Sequence, residues 1–139
     1  FMAQNMLHVC MPKVFRLSEQ YLIRAEARAN QKNYSGASKD LSDLRRARFQ
    51  GGNGSISVSE QNWLEIIEEE RVRELYMEGF RLQDLKRWHK GFERKPQEQS
   101  LANGSSLKIE ADDVRFVWPI PKHELESPGS QIQPNESNK

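Results

Sequence analysis

From Arg16 to about Asn30 the stretch RLSEQYLIRAEARAN sets Leu17, Tyr21, Ala25 and Arg28 on one helical stripe, with Leu22 and Ala29 beside it. No glycine or proline interrupts the run, so the pattern predicts an amphipathic helix. Gln-Lys-Asn then makes a short turn, and Ser35 offers an N-cap for a second helix to about Arg48, with Ala37, Leu41, Leu44 and Arg48 at 3.6-residue spacing. The two helices should fold back as an antiparallel hairpin. Tyr21 and Leu41 lie 20 residues apart and Ala25 and Ala37 lie 12 apart, with the small residues where two helices must approach closely. Those separations suit a tetratricopeptide-like unit, and one such unit needs neighbours to cover its faces.

FQGGNGSIS, from 49 to 57, is rich in loop formers, and Ser57 or Ser59 can cap a third helix expected from about Glu60 to Met77. Gly79 is placed to close that helix in the left-handed conformation, and a short fourth helix should run from Phe80 to about Lys90. From Gly91 to Ser106 the pattern predicts a loop. DVRFVWPIP reads as an extended segment that two prolines bar from the centre of a sheet. HELESPG holds one helical turn at most, and QIQPNESNK reads as a polar tail.

The composition supports one globular domain over residues 1–139, with 36% hydrophobic and 29% charged residues. Lys+Arg 21 against Asp+Glu 20 leaves a net charge of +1, too little for a global field that would gather nucleic acid or anionic lipid. The single cysteine, Cys10, excludes an internal disulfide framework and CxxC chemistry. No signal peptide and no membrane-spanning run of apolar residues is legible.

The unusual stretch is EEERVRELYMEGFRLQDLKRW, residues 68 to 88, where charges interrupt the apolar stripes of helices three and four. Leu64, Ile67, Arg71, Leu75 and Glu78 share a stripe of helix three, and Arg81, Asp84, Leu85 and Trp88 share one of helix four. Isolated charges are costly to bury and paired ones much less so. Glu70, Arg71, Glu74, Glu78, Arg81 and Asp84 are therefore expected to form a structural ion-pair lattice across the Gly79 bend. A glycosidase-like carboxylate pair, Glu74 with Glu78 or Asp84, conflicts with its setting: neighbouring arginines depress carboxylate pKa values, and a general acid needs the opposite.

His8, His89 and His123 are scattered, so no metal site is expected, and no phosphate loop or nucleophile elbow points to a cofactor or to catalysis. LRRARF and LKRWHK set basic residues beside aromatics, yet Leu44, Leu85 and Trp88 are needed in the core, which argues against nucleic acid as a partner. Flat aromatic rings can stack on sugars. Of the three tryptophans, Trp88 and Trp118 read as core, and Trp63, beside the Gly-rich loop, is the least committed.

Three blocks in order, RLSEQYLIRAEARANQKNYSGASKDLSDLRRAR, EIIEEERVRELYMEGFRLQDLKRW and VWPIPKHELES, resemble the C-terminal part of the SusD/RagB family. The resemblance spans about 16–127, with 128–139 as the polar tail. It implies an all-α fold: a tetratricopeptide-like hairpin plus further helices and long loops. It also implies an outer-membrane lipoprotein displayed at the cell surface, which binds a glycan or other nutrient without catalysis or cofactor. Such a protein passes its ligand to a SusC-like TonB-dependent transporter, and it touches the membrane only through an N-terminal lipid anchor. Cys10 lacks a lipobox, the usual closing Asn-Pro-Gly-Tyr is replaced by QPNESNK, and the larger N-terminal part is missing, so a C-terminal fragment or a truncated relative is expected. Ligand contacts within this segment are expected at Trp63, Asn53 and Asn103. The rival reading is a small cytosolic tetratricopeptide-like adaptor that holds a partner protein.

Overall fold

The computed structural model of the chain describes residues 15–49, 51, 53–95 and 107–138. Cys10, His8 and Asn103 lie outside them. The chain divides into two compact units, one ending at Gly79 and the other beginning at Phe80.

In the first unit α1 (Leu17–Asn30) and α2 (Tyr34–Arg48) form the expected antiparallel hairpin. Ala25 and Ala37 are both fully buried, so the close approach falls where the small residues were placed. The stripe on α1 is turned by one position, however: Ser18 is buried and Leu17 is 72% exposed. The turn between the helices is made by chemistry that the sequence does not advertise. Lys32 takes φ +61, the Asn33 N–H donates to the Arg28 carbonyl at 2.8 Å, and the Lys32 N–H donates to Ala29 at 2.9 Å. This double bond pattern closes a helix with a left-handed residue, here lysine in place of glycine. Asn33, not Ser35, caps α2, its Oδ1 accepting from the Gly36 N–H at 3.0 Å.

Residues 53–59 are pinned along α2 by two of its hydroxyls: Ile56 N–H donates to Ser42 Oγ and Val58 N–H to Ser38 Oγ, both at 2.9 Å. Gly54, Ile56 and Val58 alternate inward and are buried, the period of an extended chain. A Cβ on Gly54 would come within 2.9 Å of the Arg46 backbone nitrogen, so this crossing admits only glycine. α3 (Trp63–Glu74) follows and packs on α1, with Ile67 and then Leu75 buried. It stops three residues short of Met77; Met77 at φ +60 and Gly79 at φ +85 share the left-handed turn assigned to Gly79 alone.

The second unit opens with α4 (Phe80–Arg87), whose C-terminus repeats the Lys32 device: His89 takes φ +53 and Lys90 N–H donates to Leu85 at 2.9 Å. Two short strands pair antiparallel, β1 (Phe92–Glu93) with β2 (Lys108–Ile109), in the register Phe92 to Ile109. They approach so closely that a Cβ on Gly91 would lie 2.1 Å from the Ile109 carbonyl oxygen. Val114–Phe116 is a turn of 3-10 helix rather than extended chain, because Asp113 accepts from the Arg115 N–H at 2.8 Å and caps it. Phe116 and Leu85 are buried and form this unit's core. After α5 (Lys122–Leu125) the expected free tail folds back. Asn138 accepts from Ile120 N–H at 3.0 Å and donates to Ile120 O at 2.8 Å, and Asn135 Nδ2 donates to the Trp118 carbonyl at 2.9 Å. The architecture is all-α, with the two strands as its only sheet among the described residues.

Candidate functional site

α3 turns two carboxylates of the charge-rich stretch, Glu70 and Glu74, towards arginines of the hairpin and its N-cap, and Glu78 follows beyond the helix end. Glu70, buried, accepts from Arg45 of α2 at 2.5 Å and from Arg73 at 2.6 Å. Glu74 is held between Arg48 of α2 at 2.6 Å and Arg16 at 2.5 Å, and Arg16 also reaches Glu78 at 2.7 Å. The Arg48 hydrogen bond, opposed by desolvation and reinforced by Arg16, lowers the Glu74 pKa from its ordinary 4.5 to about 2. A carboxyl at that value is ionised throughout the physiological range and has no proton to give, which removes the general-acid reading of Glu74. Arg71 and Asp84 are likewise buried, and Asp84 accepts from Arg87 Nε at 2.9 Å.

The arginines at 16, 45 and 48 lie outside the stretch that drew attention, and sequence reasoning missed them as partners. So it did Asp40, 1% exposed, whose two oxygens take Arg24 and Arg28 of the facing helix at 2.7 Å each. The signal available was an acidic residue one position from the apolar stripe of α2, opposite two arginines one turn apart on α1.

The second unit carries a concave surface. A cleft of about 560 Å³ has Leu85, Phe92 and Phe116 in its lining, and Arg81, Arg94, Arg115 and Glu93 as its charged groups. The Arg94 guanidinium stands 5.2 Å from the Phe92 ring centroid. Arg115 is fixed by Asp113, which takes Nε and Nη2 at 2.8 Å each. That fork lowers the Asp113 pKa to about 2 and raises that of Arg115. Arg115 also lines a second groove, of about 340 Å³, with Trp118, Val117, Pro119, Glu136 and Ser137.

Trp118 corrects the sequence reading, which placed it in the core: it is 82% exposed. The apolar run around it spends its burial on Phe116, while the 3-10 turn carries Val117 and Trp118 outward. Behind the ring the backbone is held. Ser137 Oγ lies 2.6 Å from the carbonyl oxygens of Val114 and Val117, donating to one at a time, and Asn135 holds Trp118 itself. Of the residues expected to meet ligand, Trp63 begins α3 half-buried, and Asn53 is exposed with its Oδ1 accepting from Ser55 N–H at 3.1 Å. Asn103 is outside the described residues.

Among the described residues no cluster of three or more His, Cys, Asp or Glu could hold a metal, and no helix is long and apolar enough to cross a membrane. The fold is all-α, Glu70, Glu74 and Asp84 of the charge-rich stretch are paired with arginines, and Arg81 and Leu85 of the same stretch line the cleft of the second unit. The chain belongs to the SusD family, whose model matches residues 10–136, beyond both ends of the 16–127 resemblance. That family consists of non-catalytic proteins of nutrient uptake, generally associated with the outer-membrane surface and with SusC-like transporters. Neither a curated protein nor a solved structure gives a significant match.

Proposed function

We propose that this protein captures a glycan at the outer-membrane surface and passes it, unmodified, to a SusC-like TonB-dependent transporter. In this reading an N-terminal lipid attaches it to the membrane. Family membership supports the class of activity. The observation that carries the glycan is Trp118, a large flat ring left 82% exposed on a hydrogen-bonded shelf. An exposed tryptophan is unusual, and on a fixed backbone it loses little freedom on stacking against a sugar face. Trp63, half-buried, offers less ring and takes a secondary role.

The test is calorimetric titration of the purified chain with a panel of plant and host oligosaccharides, beside Trp118→Ala. Binding by the parent chain that weakens about tenfold or more in the variant, with an unchanged melting temperature, supports the proposal. A chain that binds no oligosaccharide, but retains a peptide in a peptide-array screen, is an adaptor instead.

A further inference from the structure

The 560 Å³ cleft of the second unit is of small-molecule size, and guanidinium groups stand in its lining. Three guanidinium groups line it against one carboxylate, Glu93. Asp113 holds Arg115 through Nε and Nη2, and the Nη1 donors of Arg115 meet no partner among the described residues. Arg94 enters no ion pair among the described residues; its contact is with the face of Phe92. A guanidinium stacked on a ring keeps its in-plane N–H donors available for a carboxylate or sulfate.

In the hairpin of the first unit Arg24, Arg28, Arg45 and Arg48 are each paired with an acidic side chain. Arg94, beside an apolar concavity and without an acidic partner among the described residues, leaves charge that a ligand can neutralise. Arg115 lines both the cleft and the Trp118 groove, so a bound chain crossing from one to the other would pass the same fixed cation. We infer that the cleft is an anionic-sugar subsite. It takes the carboxylate or sulfate of an acidic oligosaccharide on Arg94 and Arg115 while Phe92 meets a ring face and Trp118 stacks on a neighbouring unit. This rests on the glycan-capture reading and narrows it to uronate-bearing or sulfated glycans.

The experiment titrates the full chain with trigalacturonate, a sulfated galactotriose and neutral galactotriose, and repeats each with Arg94→Gln, Arg94→Lys and Trp118→Ala. Arg94 is exposed, so neither of its variants should disturb folding, which circular dichroism checks. At least one acidic trisaccharide should bind about tenfold or more tightly than the neutral one, and the preference should shrink as salt is raised. Arg94→Gln should abolish the preference and Arg94→Lys should keep part of it. Equal affinity for acidic and neutral sugars, unaltered by Arg94→Gln but lost in Trp118→Ala, overturns the anionic subsite and leaves glycan capture standing. Acidic preference that survives Arg94→Gln also overturns it. Absence of binding to all three sugars and to the wider panel overturns both readings.

Discussion

Asp40 and Glu74 answer the same physical problem at two depths. Asp40, 1% exposed, has both oxygens taken by Arg24 and Arg28. Those arginines remain partly in water, 53% and 33% exposed, so the two sides of the pair are not equivalent. Asp40→Ala frees two groups that can hydrate, and should cost about 1.5 to 3 kcal/mol. The Arg24→Ala, Arg28→Ala double variant strands a buried carboxylate and should cost about 3 to 5 kcal/mol. Urea denaturation of the two variants measures the asymmetry, and equal losses would refute it. Glu74 gives a pH signature. Its folded pKa of about 2 lies below the ordinary 4.5, so the unfolded chain binds the proton first as pH falls. The Glu74 contribution is complete above about pH 4.5 and is lost on the way down to about pH 2. Glu74→Gln should therefore flatten that part of the stability-against-pH curve, while leaving ligand affinity at neutral pH unchanged.

At the scale of elements, two helices end on left-handed residues that are not glycine. Lys32 after α1 and His89 after α4 hold φ +61 and +53, and each closes a double hydrogen-bond pattern that glycine would satisfy without strain. Lys32→Gly should raise stability by up to about 1 kcal/mol, visible as a higher melting temperature. A destabilised Lys32→Gly would mean that the lysine side chain contributes something to the turn beyond its backbone. Gly91 is the opposite case: with the Ile109 oxygen 2.1 Å from any added Cβ, the β1–β2 ladder must part to admit alanine. Gly91→Ala should weaken the acidic-sugar binding of the cleft more than it lowers the melting temperature, because Phe92 and Arg94 follow directly in the chain.

At the scale of the whole molecule, a net charge of +1 leaves little to steer a polyanion by long-range field. Binding to duplex DNA at physiological salt should be undetectable by fluorescence anisotropy. Incubated with oligosaccharides, the chain should release no new reducing ends, since the carboxylate nearest to an acid/base candidate, Glu74, is locked in its ionised form. Detectable turnover would reopen an enzymatic role.

By itself the sequence determined the helical hairpin, the third and fourth helices and the family, because those depend on periodicity and on motifs that are contiguous in the chain. It also placed charges on the inward stripes of residues 68 to 88, where Glu70, Arg71 and Asp84 are buried while Glu78 and Arg81 are exposed. What it left open depends on residues distant in sequence. That Glu70 and Glu74 answer to Arg45, Arg48 and Arg16 follows from how α3 lies on the hairpin. That Leu17 is exposed while Ser18 is buried was decided by a rotation of one position, and that Trp118 is exposed while Phe116 is buried was decided by the 3-10 turn, which hydrophobicity cannot resolve within an apolar run. The polar tail carried no periodic signal, yet Asn135, Ser137 and Asn138 hold the shelf behind Trp118, because unpaired backbone groups of the Pro-rich segment needed partners that only the folded chain could bring to them.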